Sequence, residues 1–403
     1  MKRLFLILIS LFTVCPFFAQ QTNRLTEKQI KANLKTVKAS LKNGTKLDES
    51  AKLMTDVLKQ SPYSADASYY DMAGRVHQGI YESENKNLYL KKKYDTLKLY
   101  NAYYDMFVRY MQCDSIECEK QKFSFRRKNQ RTLLPLRSNL LYIGQSFMHR
   151  RQWGEACRYL ELYISTSNHT LFAEYNLEQT DTLIQYAEYM IVQAATQMGD
   201  TTRILDHALL AERNNGYGEY VLEQLCNVYS AYSSPLLYVG ALESGVRRFP
   251  KNPYFFAHLV DYYNSRQNFQ GALDYAETMV QRDSTNAYYL FVKGYVLQQM
   301  EHYDDAIGVL EKAYAIDSLY KPTLVSLAYC YFNKAGGMYK NLFANRKSKS
   351  YRTTMNGLYV VARGYFEKLR ALYPKERELW YDWLYTIYYR LNLGQELQEL
   401  ENS

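Results

Sequence analysis

One apolar position recurs at even intervals through the middle of the chain. Residues 34 apart occupy it in turn: Ala211, Gly245, Met279 and Ala313. A repeat of this length is typical of a helix-turn-helix unit that buries its apolar face only against neighbouring units. The pattern therefore predicts an all-α solenoid, which lengthens by added repeats rather than by added globular cores.

The unit over residues 287–320 shows how such a repeat packs. Its first helix carries Leu290, Gly294 and Leu297, and its second helix carries Ala306 and Leu310. Small residues at 294 and 306 let the two helices approach closely, and the larger residues fill the space beside them. This spacing resembles the tetratricopeptide repeat (TPR) family. The resemblance implies a TPR-type helix-turn-helix superhelix that holds other molecules.

The resemblance is uneven along the chain. Residues 137–403 are predicted to form the TPR superhelix, with insertions near 171–184 and 334–355 and a short polar capping helix at the end. Residues 20–136 are predicted to form an N-terminal helical region of degenerate repeats. One longer helix is expected there, from Leu88 to Met111.

Residues 1–19 have the pattern of a cleavable export signal. Lys2 and Arg3 precede a short apolar stretch, and Ala19 supplies a small residue for cleavage. The stretch is shorter than the roughly 20 residues of a membrane span. Val14 disfavours lipidation of Cys15. We therefore expect cleavage near Ala19, export to the periplasm or beyond, and no membrane span.

The formal net charge of +9 draws attention to two basic clusters, around Arg126–Lys128 and Arg346–Lys347. Both lie where the repeat pattern breaks, as solvated loops do. The alternative is that they bind an anionic polymer of the cell envelope through their charge. Export disfavours nucleic acid as the partner.

The search for chemical motifs predicts neither a catalytic site nor a cofactor or metal. The six histidines form no metal-binding motif, and no nucleophile elbow or phosphate-binding glycine loop is present. Asp304 and Asp305 suit the start of a helix, where negative charge complements the dipole. We therefore expect a protein that is not an enzyme.

The cysteines divide into two groups. Cys157, Cys226 and Cys330 fall at packing positions of predicted helices and are expected to be buried. Cys113 and Cys118 flank a short polar segment that looks like a helix end. An exported protein can bridge such a pair, so a Cys113–Cys118 disulfide and two free thiols both remain open.

By analogy with the TPR family, the first helix of each repeat lines a concave groove. The groove candidates are rich in tyrosine and side-chain amides, which suits an extended peptide: Tyr186, Tyr189, Gln193, Tyr220, Asn227, Tyr254, Asp261, Asn264, Tyr288, Phe291, Tyr295 and Gln298. Glu223 and Asp261 stand where the family's carboxylate clamp has basic residues, which disfavours that ligand. The 42 tyrosines have a second interpretation, as packing residues in place of Leu and Phe.

Two functions follow from these features. The first is a non-catalytic periplasmic scaffold or adaptor that binds a protein or extended peptide partner of the cell envelope in this groove. The alternative is a glycan- or peptidoglycan-binding envelope protein that uses tyrosine faces and the basic loops.

Overall fold

A computed structural model describes residues 25–214, 216–344 and 349–402. The predicted export signal and the basic pair at 346 and 347 lie outside these residues. Every regular element within the described ranges is a helix, as the sequence predicts. The chain forms two compact units that meet between Gly218 and Glu219. The repeat pattern, by contrast, places its boundary after residue 136.

The described residues of unit 1 form ten α-helices and short 3-10 turns at Tyr63–Ala65, Leu134–Leu136 and Thr170–Tyr175. The α-helices are α1 (Glu27–Asn43), α2 (Leu47–Leu58), α3 (Ala67–Tyr89), α4 (Thr96–Lys120), α5 (Arg126–Leu133), α6 (Ser138–His149), α7 (Trp153–Asn168), α8 (Leu177–Thr180), α9 (Ile184–Met198) and α10 (Thr201–Ala211).

Unit 2 begins in the first turn of the next helix and also includes a 3-10 turn at Arg377–Leu379. Its helices are α11 (Gly218–Ala231), α12 (Pro235–Arg248), α13 (Pro253–Ser265), α14 (Phe269–Arg282), α15 (Ala287–Gln299), α16 (Tyr303–Ile316), α17 (Lys321–Ala344), α18 (Lys349–Leu372), α19 (Tyr381–Leu391) and α20 (Gly394–Glu401).

Close helix contacts occur where the sequence places small residues. A Cβ atom added to Gly294 of α15 would lie 2.5 Å from Leu310 Cγ of α16. The α6–α7 hairpin repeats this geometry, since a Cβ at Gly144 would lie 2.7 Å from Leu160 Cγ. Ala306 is fully buried between the helices of its hairpin. This hairpin packing confirms the predicted TPR-type fold.

Asparagine caps set the start of two first helices. Asn252 Oδ1 accepts the backbone N–H of Tyr254 (2.9 Å), and Asn286 Oδ1 accepts that of Tyr288 (3.0 Å). Such a cap satisfies a helix N–H group that has no partner within the helix. The same position of α13 and α15 therefore receives a tyrosine in a fixed orientation.

The turn inside three hairpins of unit 2 (α11–α12, α13–α14 and α15–α16) adopts the left-handed conformation without glycine. Ser233, Gln267 and Glu301 have φ angles of 51°, 57° and 61° and are spaced 34 residues apart. Left-handed backbone is unfavourable for residues with a Cβ atom. The tight connection between two packed helices imposes it here, at positions where the sequence carries no turn signal.

The long helix predicted from Leu88 to Met111 is wrong. Helix α3 ends at Tyr89 and α4 begins at Thr96. Between them, Lys91 takes a left-handed φ of 54° and the Asp95 side chain caps α4 by accepting the Lys98 N–H (3.0 Å). The break allows the two helices to fold back on each other.

The two predicted insertions take different forms. Residues 171–184 include most of the 3-10 turn Thr170–Tyr175 and the single helical turn of α8. Near residues 334–355, the extra residues lengthen the two helices on either side of residues 345–348, which lie outside the described ranges. As a result, α17 and α18 each have 24 residues. None of the described helices combines the length and the apolarity that a membrane span requires.

The sequence leaves both a disulfide and two free thiols open for Cys113 and Cys118. Both residues lie within α4, and both thiols are free. Five residues of α-helix turn the chain by about 140° relative to a full number of turns, so the two side chains leave different faces. As predicted, Cys157, Cys226 and Cys330 are fully buried.

Candidate functional site: the first-helix face

The candidate site of unit 2 consists of two rows of residues on the first helices α11, α13 and α15. We call them together the first-helix face. The tyrosine row contains Tyr220, Tyr254 and Tyr288, all half-buried, at one position of the repeat. The outer row contains Asn227, Asp261 and Tyr295, all exposed, two turns further along each helix. Because both rows repeat every 34 residues, each first helix presents the same pair of positions.

Direct hydrogen bonds connect α13 to α11 across this face. The Tyr254 hydroxyl donates to Asn227 Oδ1 (2.9 Å), and Asn252 Nδ2 donates to Glu223 Oε1 (2.6 Å). Burial raises the pKa of Tyr254, which therefore remains a donor at neutral pH. Since the bond to Tyr254 uses the Asn227 oxygen, the exposed Asn227 amide is left to donate outward.

The contacts of α15 with α13 repeat this arrangement in part. The Tyr288 ring meets Phe256 edge-on, with centroids 6.1 Å apart. Burial, followed by the nearby Tyr320 and the Asp261 carboxylate, raises the pKa of Tyr288 to about 12. Asp261 makes no ion pair within the described part of the chain and is exposed. The outer row therefore carries an uncompensated negative charge at its centre.

Helix α15, the third helix of the first-helix face, adds an aromatic surface. Phe291 lies beside Tyr295 (6.0 Å between centroids) and beneath Tyr320 (5.4 Å, edge-on). Tyr295 keeps 36% of its surface exposed. The face therefore changes along its length from amide and carboxylate groups on α11 and α13 to aromatic rings on α15.

Two further candidates have an unmet hydrogen-bonding capacity. Asn264 Oδ1 and Gln298 Oε1 are buried acceptors that find no partner among the described residues. They occupy equivalent positions of α13 and α15, 34 residues apart. An unsatisfied buried acceptor costs about 1–3 kcal/mol.

In unit 1 the candidates form a separate aromatic cluster. Tyr186 and Tyr189 lie on α9, and Gln193 Nε2 donates to the Tyr189 hydroxyl (2.7 Å). Tyr217 stacks on Tyr189 with the ring centroids 4.6 Å apart. Sequence reasoning missed Tyr217, because it lies outside the helical pattern. The available signal for Tyr217 was its position directly before the start of α11.

Many other tyrosines serve packing. Tyr103, Tyr110, Tyr159 and Tyr163 are among the largest fully buried side chains. The Tyr103 hydroxyl donates to the Leu136 carbonyl, and the Tyr110 hydroxyl donates to Gln78 Oε1 (2.7 Å). For these residues the packing interpretation of tyrosine is the correct one.

The first basic cluster is not a solvated loop. Residues 126–128 begin helix α5, and Arg126 Nε donates to the fully buried Asp114 Oδ1 (2.6 Å). Lys128 pairs with Asp71 (3.1 Å). Two of the cluster's cations are therefore neutralised by carboxylates of the protein itself.

One group of side chains in unit 1 resembles a hydrolytic triad in composition. Ser115 Oγ lies 3.2 Å from His169 Nε2, and Asp114 Oδ2 lies 3.9 Å from His169 Nδ1. However, His169 Nδ1 accepts the backbone N–H of Leu171 (3.1 Å), which places the ring proton on Nε2. The imidazole thus donates to Ser115 and does not act as its base. Within the described ranges, no three His, Cys, Asp or Glu residues form a metal-binding group.

Comparisons with known proteins give matches to solved structures only. No protein-family model matches the chain, and no curated protein matches it. A MamA protein is similar, at 15% identity over 46% of this chain and 90% of that chain, with a TM-score of 0.36. A tetratricopeptide repeat protein from Parabacteroides merdae matches at 12% identity over 66% and 77% of the two chains, with a TM-score of 0.30.

A third similar structure is a thermophilic TPR protein from Thermus thermophilus. It matches at 14% identity over 61% of this chain and 96% of that chain, with a TM-score of 0.28. Similarities this weak carry no argument about function. The description of the site therefore rests on the contacts within this chain.

Proposed function

We propose that the chain is a non-catalytic scaffold that binds an extended peptide segment of a partner protein across the first-helix face of unit 2. The observation that carries the proposal is the outer row of exposed, chemically different side chains at one repeat position. Packed helices lie about 8–10 Å apart, and an extended peptide advances about 3.3 Å per residue. A peptide that crosses α11, α13 and α15 would thus meet one outer-row residue about every three residues.

The polar groups of the face suit a peptide backbone. Asn227 offers an exposed amide donor, and the exposed Asp261 carboxylate offers an acceptor. A peptide supplies both N–H and C=O groups at regular intervals. Tyr295 adds contact area at a low entropic cost, because its side chain has few rotatable bonds.

We further propose that this scaffold acts outside the cytoplasm. The N-terminal pattern of Lys2, Arg3 and a short apolar stretch before Ala19 supports export. The partner would then be a protein of the cell envelope. The glycan-binding alternative has less support, because Arg126 and Lys128 pair with buried carboxylates.

Site-specific photo-crosslinking in cells tests the proposal. A photo-reactive amino acid replaces Tyr295 on the first-helix face, which is 36% exposed, or, as the control, Tyr385 of α19, which is 39% exposed. We expect a discrete protein adduct from position 295 only. The adduct should disappear when Asn227→Ala and Asp261→Lys are combined in the same chain. Equal adducts from both positions, or an adduct insensitive to these changes, would contradict peptide binding at this face.

A further inference from the structure

A cavity of about 240 Å³ opens between α11, α12 and α13 of unit 2, beside the first-helix face. Three serines, three tyrosines, a proline and one arginine line it. It is smaller than most sites for a whole small molecule, which run from about 300 Å³ upward. A volume of this kind suits one functional group with a short carbon chain.

The arginine of this cavity has no anionic partner. The Arg266 guanidinium lies over the Tyr262 ring, 4.7 Å from its centroid. No carboxylate lies within ion-pair distance of it in the part of the chain that the structure describes. By contrast, Arg126 and Arg203 each bind a carboxylate directly. Arg266 is exposed, lies over an aromatic ring and has no carboxylate to offset its charge.

The serine hydroxyls of the cavity are also unused. Ser230, Ser233 and Ser234 make no side-chain hydrogen bond to the described residues, although Ser234 stands at the N-cap position of α12. No Asp, Glu, Asn or Gln side chain lines the cavity. The serine and tyrosine hydroxyls can donate or accept hydrogen bonds, so the single guanidinium sets the charge that the cavity prefers. Hydroxyls that donate beside one guanidinium suit a ligand that accepts hydrogen bonds and carries a negative charge.

One charge nearby opposes an anion. Asp261 precedes Tyr262 on α13, although it does not line the cavity itself. Burial, then Cys226 and Asp261, raise the pKa of Tyr238, whose side chain lines the cavity. With Asp261 so close, the site favours an anion of single charge over a doubly charged phosphate.

From these observations we propose that the cavity binds a carboxylate group, with Arg266 as its counter-ion and the serine hydroxyls as additional donors. The carboxylate belongs either to a small organic acid or to an acidic side chain of a bound polypeptide. This proposal is independent of peptide binding at the outer row, because it requires neither Asn227 nor Tyr295.

Isothermal titration of the mature chain with three probes tests the proposal. The probes are butyrate, which carries a single carboxylate, a glutamate residue blocked at both ends, and inorganic phosphate, each at constant ionic strength. We expect one or both carboxylates to bind at concentrations up to about 10 mM and more tightly than phosphate. Binding of butyrate alone would identify a small acid as the ligand, and binding of the blocked glutamate alone would identify an acidic side chain.

Matched variants connect the binding to this cavity. Arg266→Gln should weaken carboxylate binding by about tenfold or more, because it removes a charge-assisted hydrogen bond. Arg247→Gln, an exposed change on α12 outside the cavity, should leave the affinity unchanged. Asp261→Asn should strengthen binding, because it removes the repulsive charge. Circular dichroism verifies that each variant is folded.

Three results would overturn the proposal. The first is that neither carboxylate binds the unmodified chain. The second is that the Arg266→Gln variant binds the carboxylates as tightly as the unmodified chain does. The third is that phosphate binds more tightly than both carboxylates. The outcome of the crosslinking experiment at position 295 has no bearing on these three results.

Discussion

A buried ion pair at Arg137 attaches the segment 171–184 to the α6–α7 hairpin, and its removal should strongly destabilise unit 1. Arg137 Nε donates to Thr166 Oγ1 (2.6 Å), and its guanidinium also binds Asp181. The two side chains are only 8% and 12% exposed. The Tyr163 hydroxyl donates to the same carboxylate (2.5 Å). Burial alone would raise the pKa of Asp181, but the hydrogen bonds from Tyr163 and Arg137 outweigh it and lower that pKa.

The expected loss of stability follows from leaving the Asp181 charge in the protein without its partner. Arg137→Met leaves the Asp181 carboxylate buried without its cation, which typically costs about 3–5 kcal/mol. Replacing both partners, as Arg137→Met with Asp181→Leu, removes the unpaired charge as well. We therefore expect the double variant to be more stable than Arg137→Met alone by at least about 1 kcal/mol.

Hydrogen exchange measured by mass spectrometry on peptides of α7 reports the local free energy of unfolding. Lys59→Met serves as the control, because its pair with Asp56 is exposed (61% and 55%) and should contribute less than about 1 kcal/mol. The reasoning is refuted if Arg137→Met costs no more than Lys59→Met. It is also refuted if the double variant is less stable than the single one.

Three further predictions concern stability. Gly294→Ala should lower the midpoint of urea unfolding by an amount equivalent to about 1–2 kcal/mol, because its Cβ would lie 2.5 Å from Leu310 Cγ. The control Gly308→Ala, with open space around it, should raise the midpoint. Equal shifts in the two variants would contradict this reasoning. Glu301→Gly should stabilise the fold by about 0.5–1 kcal/mol, because glycine relieves the left-handed φ of 61° at this position. Lys312→Gly within α16 should instead destabilise the fold. Loss of stability in both variants would count against the argument. Burial lowers the pKa of His169 despite the Asp114 carboxylate, so the unfolded chain takes up this proton first and stability should fall as pH drops below about 6.5. His169→Asn, which keeps an acceptor for the Leu171 N–H, should show a smaller fall in urea midpoint between about pH 7 and pH 5; an identical pH profile would show that His169 is not responsible.

The repeat fold could be predicted because its packing requires small residues at fixed spacing. Gly294 has no side chain and Ala306 has only a methyl group, so both allow the close helix contact and their positions reveal the hairpin directly. The break between α3 and α4 could not be predicted in this way. Its residues include neither Gly nor Pro, and the turn depends on Lys91 in a left-handed conformation. Local preference points to a helix there, and tertiary packing overrides it.

The basic segment at 126–128 illustrates a second limit. A run of like charges is usually solvated, and the pattern alone predicts a loop. The partners that make it a helix end are Asp71 and Asp114, both nearly fully buried on α3 and α4. Since these partners are distant in sequence, the pairing depends on how the helices pack, which the local pattern does not contain.

The candidate site depends on the same distinction between packing and exposure. Tyrosine by itself does not locate a binding surface, because Tyr159 is fully buried while Tyr89 is 86% exposed outside any candidate site. Even the tyrosine row of the first-helix face is partly structural, since the Tyr254 hydroxyl binds Asn227. What separates a recognition surface from a packing surface is the outer row, where the repeat position is exposed and its chemistry changes from Asn227 to Asp261 to Tyr295. Under the function proposed above, these three exposed side chains are the ones that a partner would contact.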